Sequence, residues 1–371
     1  MTTGNAVAVA HVCSQLDGIP LAIELAAARV RVLSIEQIAA RLNDRFRLLT
    51  GGGRTALPRH QTLRATMDWS YRLLSEDERA LLRRLSVFAG GWTLEAAEAI
   101  CSDSSTESIA VLDVLTQLVD KSLVQMDTKT DEARYRLLET VRQYGRDRLA
   151  ESGEDASLRR RHFNWYVALA EQADSKLRGP EQKRWMDRLE VERDNLRTAL
   201  QWSAEEPERA ESGLRLAAAL QWFWFMKNHI AEGQQWLGRF VASNVSAPAT
   251  DRATALFGIG ILARRQGDYK KAETALQESL ALYRESRHQF GIGQSLHHLA
   301  HIADDHSADS EKAVDLFEES LAAFREGADK WGLKPRGVRS PGTSPVRSAP
   351  RVSRSSRPGN SGYRSRSFVP V

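Results

Sequence analysis

Three histidines stand at a spacing that could hold a metal ion. His297 and His301 are four residues apart, so a helix would place both on one face, as it does for the zinc ligands of the H-E-x-x-H motif. That motif carries its glutamate general base directly after the first histidine, and this chain has His298 there. We therefore interpret the cluster as part of a helix surface and predict no metal site.

A run of three glycines at residues 51–53 could be a phosphate-binding loop. The P-loop pattern G-x-x-x-x-G-K-[ST] supplies a lysine for the phosphates and a hydroxyl for Mg²⁺, and it occurs nowhere in the sequence. No strand-like run precedes the glycines, so we interpret residues 51–58 as a flexible connector. Because the sequence offers no Ser/His/Asp or Cys/His arrangement either, we predict no catalytic residues.

Residues 1–58 have the pattern of a helical subdomain. Gly18 ends an apolar stretch, and Pro20 stands where the next helix would begin, because a proline without an N–H is tolerated at the first helical position. Further along, Ser34 with Gln37 has the spacing of a capping box. Taken alone, Gly18 and Pro20 mark a boundary between two helices.

Residues 59–152 have the element order of a winged-helix domain. Ser75 and Glu78 have the spacing of a second capping box, which predicts a helix that runs to about Phe88. Later in the segment, two short strand-like runs separated by a polar loop predict a β-hairpin. The predicted helices are 60–74, 75–88, 93–101 and 108–123, and the predicted strands are 123–127 and 134–139.

The third helix of a winged-helix domain is the element that reads DNA in many of these domains. Here that helix, residues 108–123, carries Asp113 and Asp120 against Lys121 alone. DNA binding needs several cationic side chains to neutralise phosphates. The composition therefore argues against DNA contact by this helix and favours a packing role.

Residues 158–333 are predicted to be helical, and from about residue 213 the sequence repeats with a period near 40. GDYKKAETALQESLALYRE (267–285) matches ADSEKAVDLFEESLAAFRE (308–326) with an offset of 41 residues. Such a period predicts stacked helix pairs like those of tetratricopeptide (TPR) repeats, where a small residue lets two helices approach closely. The small residues at equivalent positions are Gly233, Ala272 and Ala313.

The formal net charge of +4 has an uneven origin. Residues 334–371 contain nine basic residues and no acidic ones, whereas residues 1–333 contain 43 basic and 48 acidic residues. The body of the chain is therefore weakly acidic, which does not suit a nucleic-acid-binding protein. Arg, Ser, Pro and Gly make up 27 of the 38 tail residues, a composition that predicts disorder.

The composition also excludes several classes of protein. Cys13 and Cys101 are the only cysteines, so a disulfide framework is excluded. No apolar run reaches the roughly 18 residues that span a bilayer, and the first residues lack the basic and apolar regions of a signal peptide. We predict a cytoplasmic protein that makes no membrane contact.

Four stretches of the sequence form specific motifs. They are GIPLAIELAAAR (18–29), LPRHQTLRATMDWSYRLLSEDERALLRRLSVFAGGW (57–92), YRLLETVRQYG (135–145) and DNLRTALQW (194–202). Together they resemble the C-terminal part of the large bacterial STAND regulators with an NB-ARC ATPase module, often described as AfsR-like or LuxR-type transcriptional regulators. The resemblance covers about residues 6–333.

The resemblance implies an order of parts and a nucleotide contact. In that family an ATPase core precedes a helical subdomain, a winged helix and TPR-like repeats, and a DNA-binding helix-turn-helix lies at one end of the full-length protein. The family's Gly-x-Pro motif lies against the adenine, which carries over to Gly18 and Pro20. In plant relatives a histidine contacts the ADP phosphate. The matching stretch here is Leu137, Leu138 and Glu139, so that contact is absent or made differently.

The chain also departs from the family pattern. The P-loop and Walker B segments would precede Gly18, where 17 residues stand, and the resemblance ends near residue 333. We therefore interpret the chain as a fragment that starts after these segments and whose tail results from a frameshift. We expect no cofactor in this fragment, although the resemblance implies ADP and ATP in intact relatives.

The sequence thus predicts a mainly α protein. It consists of a helical subdomain (1–58), a winged helix with a small β-hairpin (59–152), a TPR-like α-solenoid (158–333) and a disordered tail (334–371). Three functions remain open. The first is a non-catalytic regulatory protein that binds a protein partner on the concave face of its repeats. The others are a functional ATP- or ADP-binding regulator and a winged-helix DNA-binding regulator.

Overall fold

Helices dominate the part of the chain that the structure describes. The computed structural model describes residues 6–15, 23, 26–27, 30, 33–41, 64, 67–68, 70–102, 108–127, 132–243, 247–306 and 309–330. These residues form helices and one three-stranded antiparallel sheet, so the predicted mainly α fold is confirmed.

The chain divides into two compact units, residues 1–327 and 328–371. Of the second unit, the structure describes only the last residues of the final helix, and the predicted disordered tail (334–371) lies outside the described residues. None of the described helices is long and apolar enough to cross a membrane.

Two short helices are described in the N-terminal region, α1 (Ala6–Gln15) and α2 (Ile35–Arg41), and they pack against each other. The predicted capping box before α2 is confirmed. The Ser34 backbone N–H donates to Gln37 Oε1 at 3.1 Å, and the Gln37 N–H donates to Ser34 Oγ at 3.2 Å. Ile38 on α2 is almost completely buried.

The next region has the elements of a winged helix, and its sheet has the order β1-β3-β2. Its helices are α3 (Glu76–Leu85), α4 (Leu94–Cys101), α5 (Ser108–Asp120) and α6 (Glu139–Ser152), and its strands are β1 (Trp92–Thr93), β2 (Val124–Asp127) and β3 (Arg134–Leu137). The predicted hairpin is present, with Met126 opposite Tyr135. The sequence did not predict β1, because two residues are too few to show strand periodicity.

Helix α3 begins as predicted but ends earlier. The Ser75 backbone N–H donates to Glu78 Oε2 at 2.7 Å, and the Glu78 N–H donates to Ser75 Oγ at 3.2 Å, which completes the capping box. The α-helix ends at Leu85 rather than Phe88. The N–H groups of residues 86–88 bond to carbonyls three residues back, at 3.2–3.3 Å, so the chain leaves the helix through a tightened turn.

The C-terminal half of the described chain is helical. Three helices follow the winged helix, namely α7 (Asp155–Asp174), α8 (Gln182–Val191) and α9 (Arg193–Ser203). Three antiparallel pairs come next: α10 (Ala210–Met226) with α11 (Ile230–Ser243), α12 (Ala249–Gln266) with α13 (Tyr269–Glu285), and α14 (Gln289–Asp305) with α15 (Ser310–Lys330). One continuous apolar core runs from the winged helix into these pairs.

The three small residues at equivalent repeat positions are buried. Ala272 and Ala313 are buried, and a Cβ atom added to Gly233 would lie 2.7 Å from Leu262 Cδ1 and 3.0 Å from the Trp224 ring. A larger side chain at Gly233 would therefore require the neighbouring helices to separate.

Side chains that make equivalent polar contacts recur with the same 41-residue offset as the sequence repeat. The buried Ser279 hydroxyl donates to the Ala253 carbonyl at 2.8 Å, and the equivalent Ser320 hydroxyl donates to the Gly293 carbonyl at 2.7 Å. The N-caps Asp268 and Asp309 show the same equivalence, since each accepts a 3.1 Å bond from the backbone N–H three residues later. The repeat in the sequence is therefore also a repeat of hydrogen bonds.

Candidate functional site

The predicted nucleotide-contacting residues are described only in part. Residues outside the described part of the chain include Gly18, Pro20 and the glycine run 51–53. Leu137 ends β3, Leu138 precedes α6, and Glu139 is the first residue of α6. The Glu139 carboxylate accepts a 2.6 Å hydrogen bond from Arg142 Nε, so it already has a partner within the protein.

The histidine cluster packs among aromatic rings. The His297 and His301 rings are 4.7 Å apart, and both contact Phe317. His298 points inward against Phe257, and burial lowers its pKa to about 3, so it is neutral near pH 7. His297 is exposed whereas His298 is only partly exposed, because successive helical residues point about 100° apart. Within the described residues, no group of three or more His, Cys, Asp or Glu could hold a metal.

The most extensive polar site joins the winged helix to the helices that follow it, and its centre is Asn195 on α9. This side chain is completely buried. Its Oδ1 accepts from the Ala89 backbone N–H at 2.7 Å, and its Nδ2 donates to the Gly91 carbonyl at 2.7 Å. One amide thus satisfies both a donor and an acceptor of the loop between α3 and β1, which fixes the position of that loop.

Glu192 adds a charge to the same site. Its side chain is only 6 % exposed, and its carboxylate pairs with Arg134 on β3. It also accepts from the Tyr166 hydroxyl at 2.9 Å and from Asn195 Nδ2 at 2.8 Å. Burial raises the pKa of Tyr166 well above its usual value, so the phenol keeps the proton that it donates. A buried carboxylate is tolerated here because each oxygen has a partner.

A second set of ion pairs also joins the winged helix to the start of α7. Glu154, immediately before α7, accepts from Arg83 Nε at 2.7 Å and from Arg84 Nη2 at 2.6 Å, both from α3. Burial tends to raise the pKa of the Glu154 carboxyl, but the hydrogen bonds from the two arginines outweigh it and lower the pKa. Arg84 also donates to the Cys101 carbonyl at 3.1 Å, which links α4 to the pair.

The close packing of α6 on α3 depends on a glycine. A Cβ atom added to Gly145 would lie 2.9 Å from Ser86 Cβ and 3.3 Å from the Leu82 carbonyl oxygen. Next to it, the Tyr144 hydroxyl donates to Asp68 Oδ1 at 2.7 Å. The motif residues of this region therefore hold helices together inside the protein.

We name the contacts of Asn195, Glu192 and Glu154 with the winged helix the junction. Its polar groups pair with one another and with backbone groups. Such an arrangement can hold two parts of a chain in one relative position.

The comparisons with known proteins agree with this architecture. A family described as a winged helix-turn-helix domain matches residues 74–150, and a tetratricopeptide repeat family matches residues 251–326. The chain contains a winged helix-turn-helix domain followed by tetratricopeptide repeats. Because many winged helices bind DNA, the first match does not support the expectation that this element makes no DNA contact.

The chain is also similar to mycobacterial proteins. One from Mycobacterium tuberculosis strain H37Rv, named "Putative HTH-type transcriptional regulator", is 48% identical over 257 residues, which are 68% of this chain and 29% of that protein. A protein of the same name from Mycobacterium bovis matches equally. An uncharacterized M. tuberculosis protein is 52% identical over 158 residues, 42% of this chain and 40% of its own length. The chain thus spans less than a third of the length of its named relatives.

A solved structure was also found. It is a Signal Transduction ATPase with Numerous Domains (STAND) protein with a tetratricopeptide repeat sensor from Pyrococcus horikoshii. The match has 16% sequence identity and a TM-score of 0.24, and it covers 83% of this chain and 61% of that one. The two family matches and the named relatives confirm the predicted resemblance to a large bacterial regulator with a winged helix and TPR repeats.

Sequence reasoning missed the junction, although Asn195 and the loop that it contacts lie in two of the four motifs. Asn195 stands in DNLRTALQW, and the loop that it contacts ends the motif LSVFAGGW. Gly90 and Gly91 lie in the loop before β1, and Asn195 is a completely buried polar residue on α9. Only the fold reveals that the two motifs are the two sides of one contact.

Proposed function

We propose that this chain is a regulatory module that binds a protein partner through its repeats and transmits that binding to its winged helix. The observation that carries the proposal is the junction, where Asn195 and Glu192 tie the helices before the repeats to the winged helix. A partner on the repeats would therefore act on a body continuous with the winged helix. The relatives named as transcriptional regulators support a regulatory role.

We place the partner on a surface of α10 and α12, the first helices of two successive pairs. Trp222 and Phe225 on α10 stack at 5.1 Å, and both are only partly buried. Arg178 lies 4.9 Å from the Trp222 ring, and Arg265 on α12 lies 5.3 Å from the Phe225 ring. Aromatic and arginine side chains together dominate the binding energy of protein interfaces. In a stacked array of helix pairs, the first helices line the concave face.

The test compares two tryptophans that have similar surroundings. Trp222 on α10 and Trp236 on α11 are both partly buried, and each has an arginine over its ring. The tagged full chain is used to isolate a partner, and the affinity of the purified partner is then measured by calorimetry. Trp222→Ala should weaken binding by about tenfold or more, because interface tryptophans commonly contribute 2 kcal/mol or more. Trp236→Ala should leave the affinity unchanged, and an equal loss in both variants would refute this surface.

Whether the chain binds a nucleotide is a separate question with its own test. We propose that the fragment itself uses no nucleotide cofactor, because the sequence contains no P-loop lysine or hydroxyl to hold phosphates. The competing hypothesis is a functional ATP- or ADP-binding regulator that uses Gly18 and Pro20. Calorimetry with ADP at millimolar concentration distinguishes the two, since a saturable heat that disappears in Pro20→Ala would favour the competing hypothesis.

DNA binding is a second candidate function, and the winged helix-turn-helix match favours it. The charge of α5 opposes it, since this helix exposes Asp113 and Asp120 and contains no Lys or Arg. Lys121, just after the helix, is paired with Glu78. Gel shifts with the full chain and with a chain lacking residues 334–371 test the idea. Binding by the winged helix must survive loss of the basic tail and must weaken steeply with salt.

A further inference from the structure

A cavity of about 260 Å³ lies beside the junction, where the winged helix meets α7 and α9. Three arginines line it, namely Arg142 and Arg146 from α6 and Arg159 from α7. His162 from α7 and Trp202 from α9 form other parts of its wall. The cavity therefore combines three cations with two aromatic rings.

Arg146 is the cation whose charge is least compensated. Its Nε donates to the Ser86 carbonyl at 3.3 Å, and within the described residues no carboxylate lies within ion-pair distance of it. Burial is the main cause that lowers the pKa of Arg146 to about 10. The positive charges of Arg142 and Arg159 act in the same direction, and the carboxylates of Glu139 and Asp155 partly oppose them. A buried guanidinium among like charges is costly unless an anion accompanies it.

The other two arginines have partners and are held in position. Arg142 Nε donates to Glu139 at 2.6 Å, and Arg159 Nε lies 2.9 Å from Asp155. Because each pair leaves further N–H groups of the guanidinium free to donate, both arginines can hold an additional anion.

His162 forms part of the wall of the same cavity. The residue is 2 % exposed, and its Nε2 has no hydrogen-bond partner among the residues that the structure describes. Its ring is held between Phe88 at 5.7 Å and Tyr166 at 4.6 Å. The imidazole therefore forms a buried, fixed part of the cavity wall.

We propose that this cavity is a binding site for a small phosphate-bearing anion. A guanidinium group presents its N–H donors in a planar fork that suits phosphate oxygens, and three such groups line this cavity. Asp155 and Glu205 also line the cavity and limit its positive charge, which favours a compact monophosphate over a polyphosphate. The inference does not depend on the protein partner proposed above.

Such a ligand would contact both sides of the junction. Arg142 and Arg146 belong to the winged helix, whereas Arg159 and His162 belong to the helix that follows it. Any molecule that binds this arrangement and not the unfolded chain raises the melting temperature as its concentration rises. Binding at this site would therefore make the stability of the junction depend on the concentration of a small metabolite.

The full chain is titrated with inorganic phosphate, adenosine monophosphate and glucose 6-phosphate while chloride keeps the ionic strength constant. Thermal unfolding should shift upward saturably with at least one probe, and comparison of the three shows whether the phosphate belongs to a nucleotide or a sugar. Absence of a saturable shift with all three would refute the site. Calorimetry with the best probe then gives the affinity for each variant.

Three variants locate the binding. Arg146→Gln should weaken the affinity about tenfold or more, because a charge-assisted hydrogen bond is lost. Arg159→Gln gives an independent test if Arg146→Gln unfolds, since the Arg159 side chain is 43 % exposed and its loss should not affect folding. Arg284→Gln is the control, because it removes one exposed arginine paired with Glu319 on the repeats. Equal affinities for Arg159→Gln and Arg284→Gln would overturn the proposal.

Discussion

Two kinds of contact hold successive parts of this chain together, polar ones at the junction and mainly apolar ones between the repeats. At the junction, buried Asn195 and Glu192 pair with backbone and charged groups of the winged helix. Between the repeats, small residues such as Gly233 and Ala272 allow apolar helices to approach closely. Polar contacts specify one geometry because each atom needs its partner, whereas apolar packing tolerates gradual change.

The largest expected effect comes from removing the charge of the buried Glu192 carboxylate at the junction. Glu192→Gln leaves the guanidinium of Arg134 without its carboxylate in a mostly buried place. Loss of one partner of a buried pair costs about 3–5 kcal/mol, so the free energy of unfolding in urea should fall by that amount. The control is Glu319→Gln, which breaks a half-exposed pair with Arg284 and should cost about 0.5 kcal/mol or less. Similar losses in both variants would contradict the contrast.

The next effect comes from removing the amide at the centre of the junction. Asn195→Leu leaves the Ala89 N–H and the Gly91 carbonyl unpaired, at a cost of about 3 kcal/mol. Hydrogen exchange of the Ala89 amide should accelerate. The matched variant in the repeats, Ser279→Ala, removes one buried hydrogen bond and should cost about 1 kcal/mol. If the Ala89 amide stays protected in Asn195→Leu, the amide does not hold the loop.

Two glycines on α11 test whether close apolar packing holds the repeats together. A Cβ atom at Gly233 would meet Leu262 and Trp224, whereas one at Gly238 would have no neighbour within 4 Å. Gly233→Val should therefore destabilise the protein by about 2 kcal/mol through overpacking. Gly238→Val should change the free energy of unfolding by less than about 0.5 kcal/mol. Urea unfolding of both variants gives the difference directly, and equal values would remove close packing as the reason for glycine.

The smallest expected effect is the change of the free energy of unfolding per pH unit that one histidine in each region causes. Burial lowers the pKa of His162 at the junction to about 4 and that of His298 in the repeats to about 3, from a usual value of 6.5. Below pH 6.5 the unfolded chain binds protons that the folded chain does not, so stability falls as the pH drops towards 4. Each histidine should contribute up to about 1.4 kcal/mol per pH unit.

Single variants separate the two contributions. His162→Gln and His298→Gln should each flatten the decline in stability between about pH 6 and pH 4. The melting temperature measured across that range gives the profile for each variant. A variant whose profile equals that of the original chain would show that its histidine accepts a proton in the folded state.

Sequence patterns predicted much of the local structure, because the signals concerned are local. The capping boxes at Ser34 and Ser75 depend on residues three positions apart, and both are present. The repeat offset of 41 also reappears in the bonds of Ser279 and Ser320. Prediction was weaker for single residues, such as the residue that ends α3 and the burial of His298. Both depend on packing against neighbours that are distant in sequence.

By itself the sequence determined the element types, the period of the repeats and the resemblance to a regulator with a winged helix and TPR repeats. Only the tertiary structure decided which motifs meet. Ala89 and Asn195 are 106 positions apart, and no periodicity reports a contact at that separation. The same holds for the cavity lined by Arg142, Arg146 and Arg159, because a charge becomes buried and uncompensated only when separate helices pack around it.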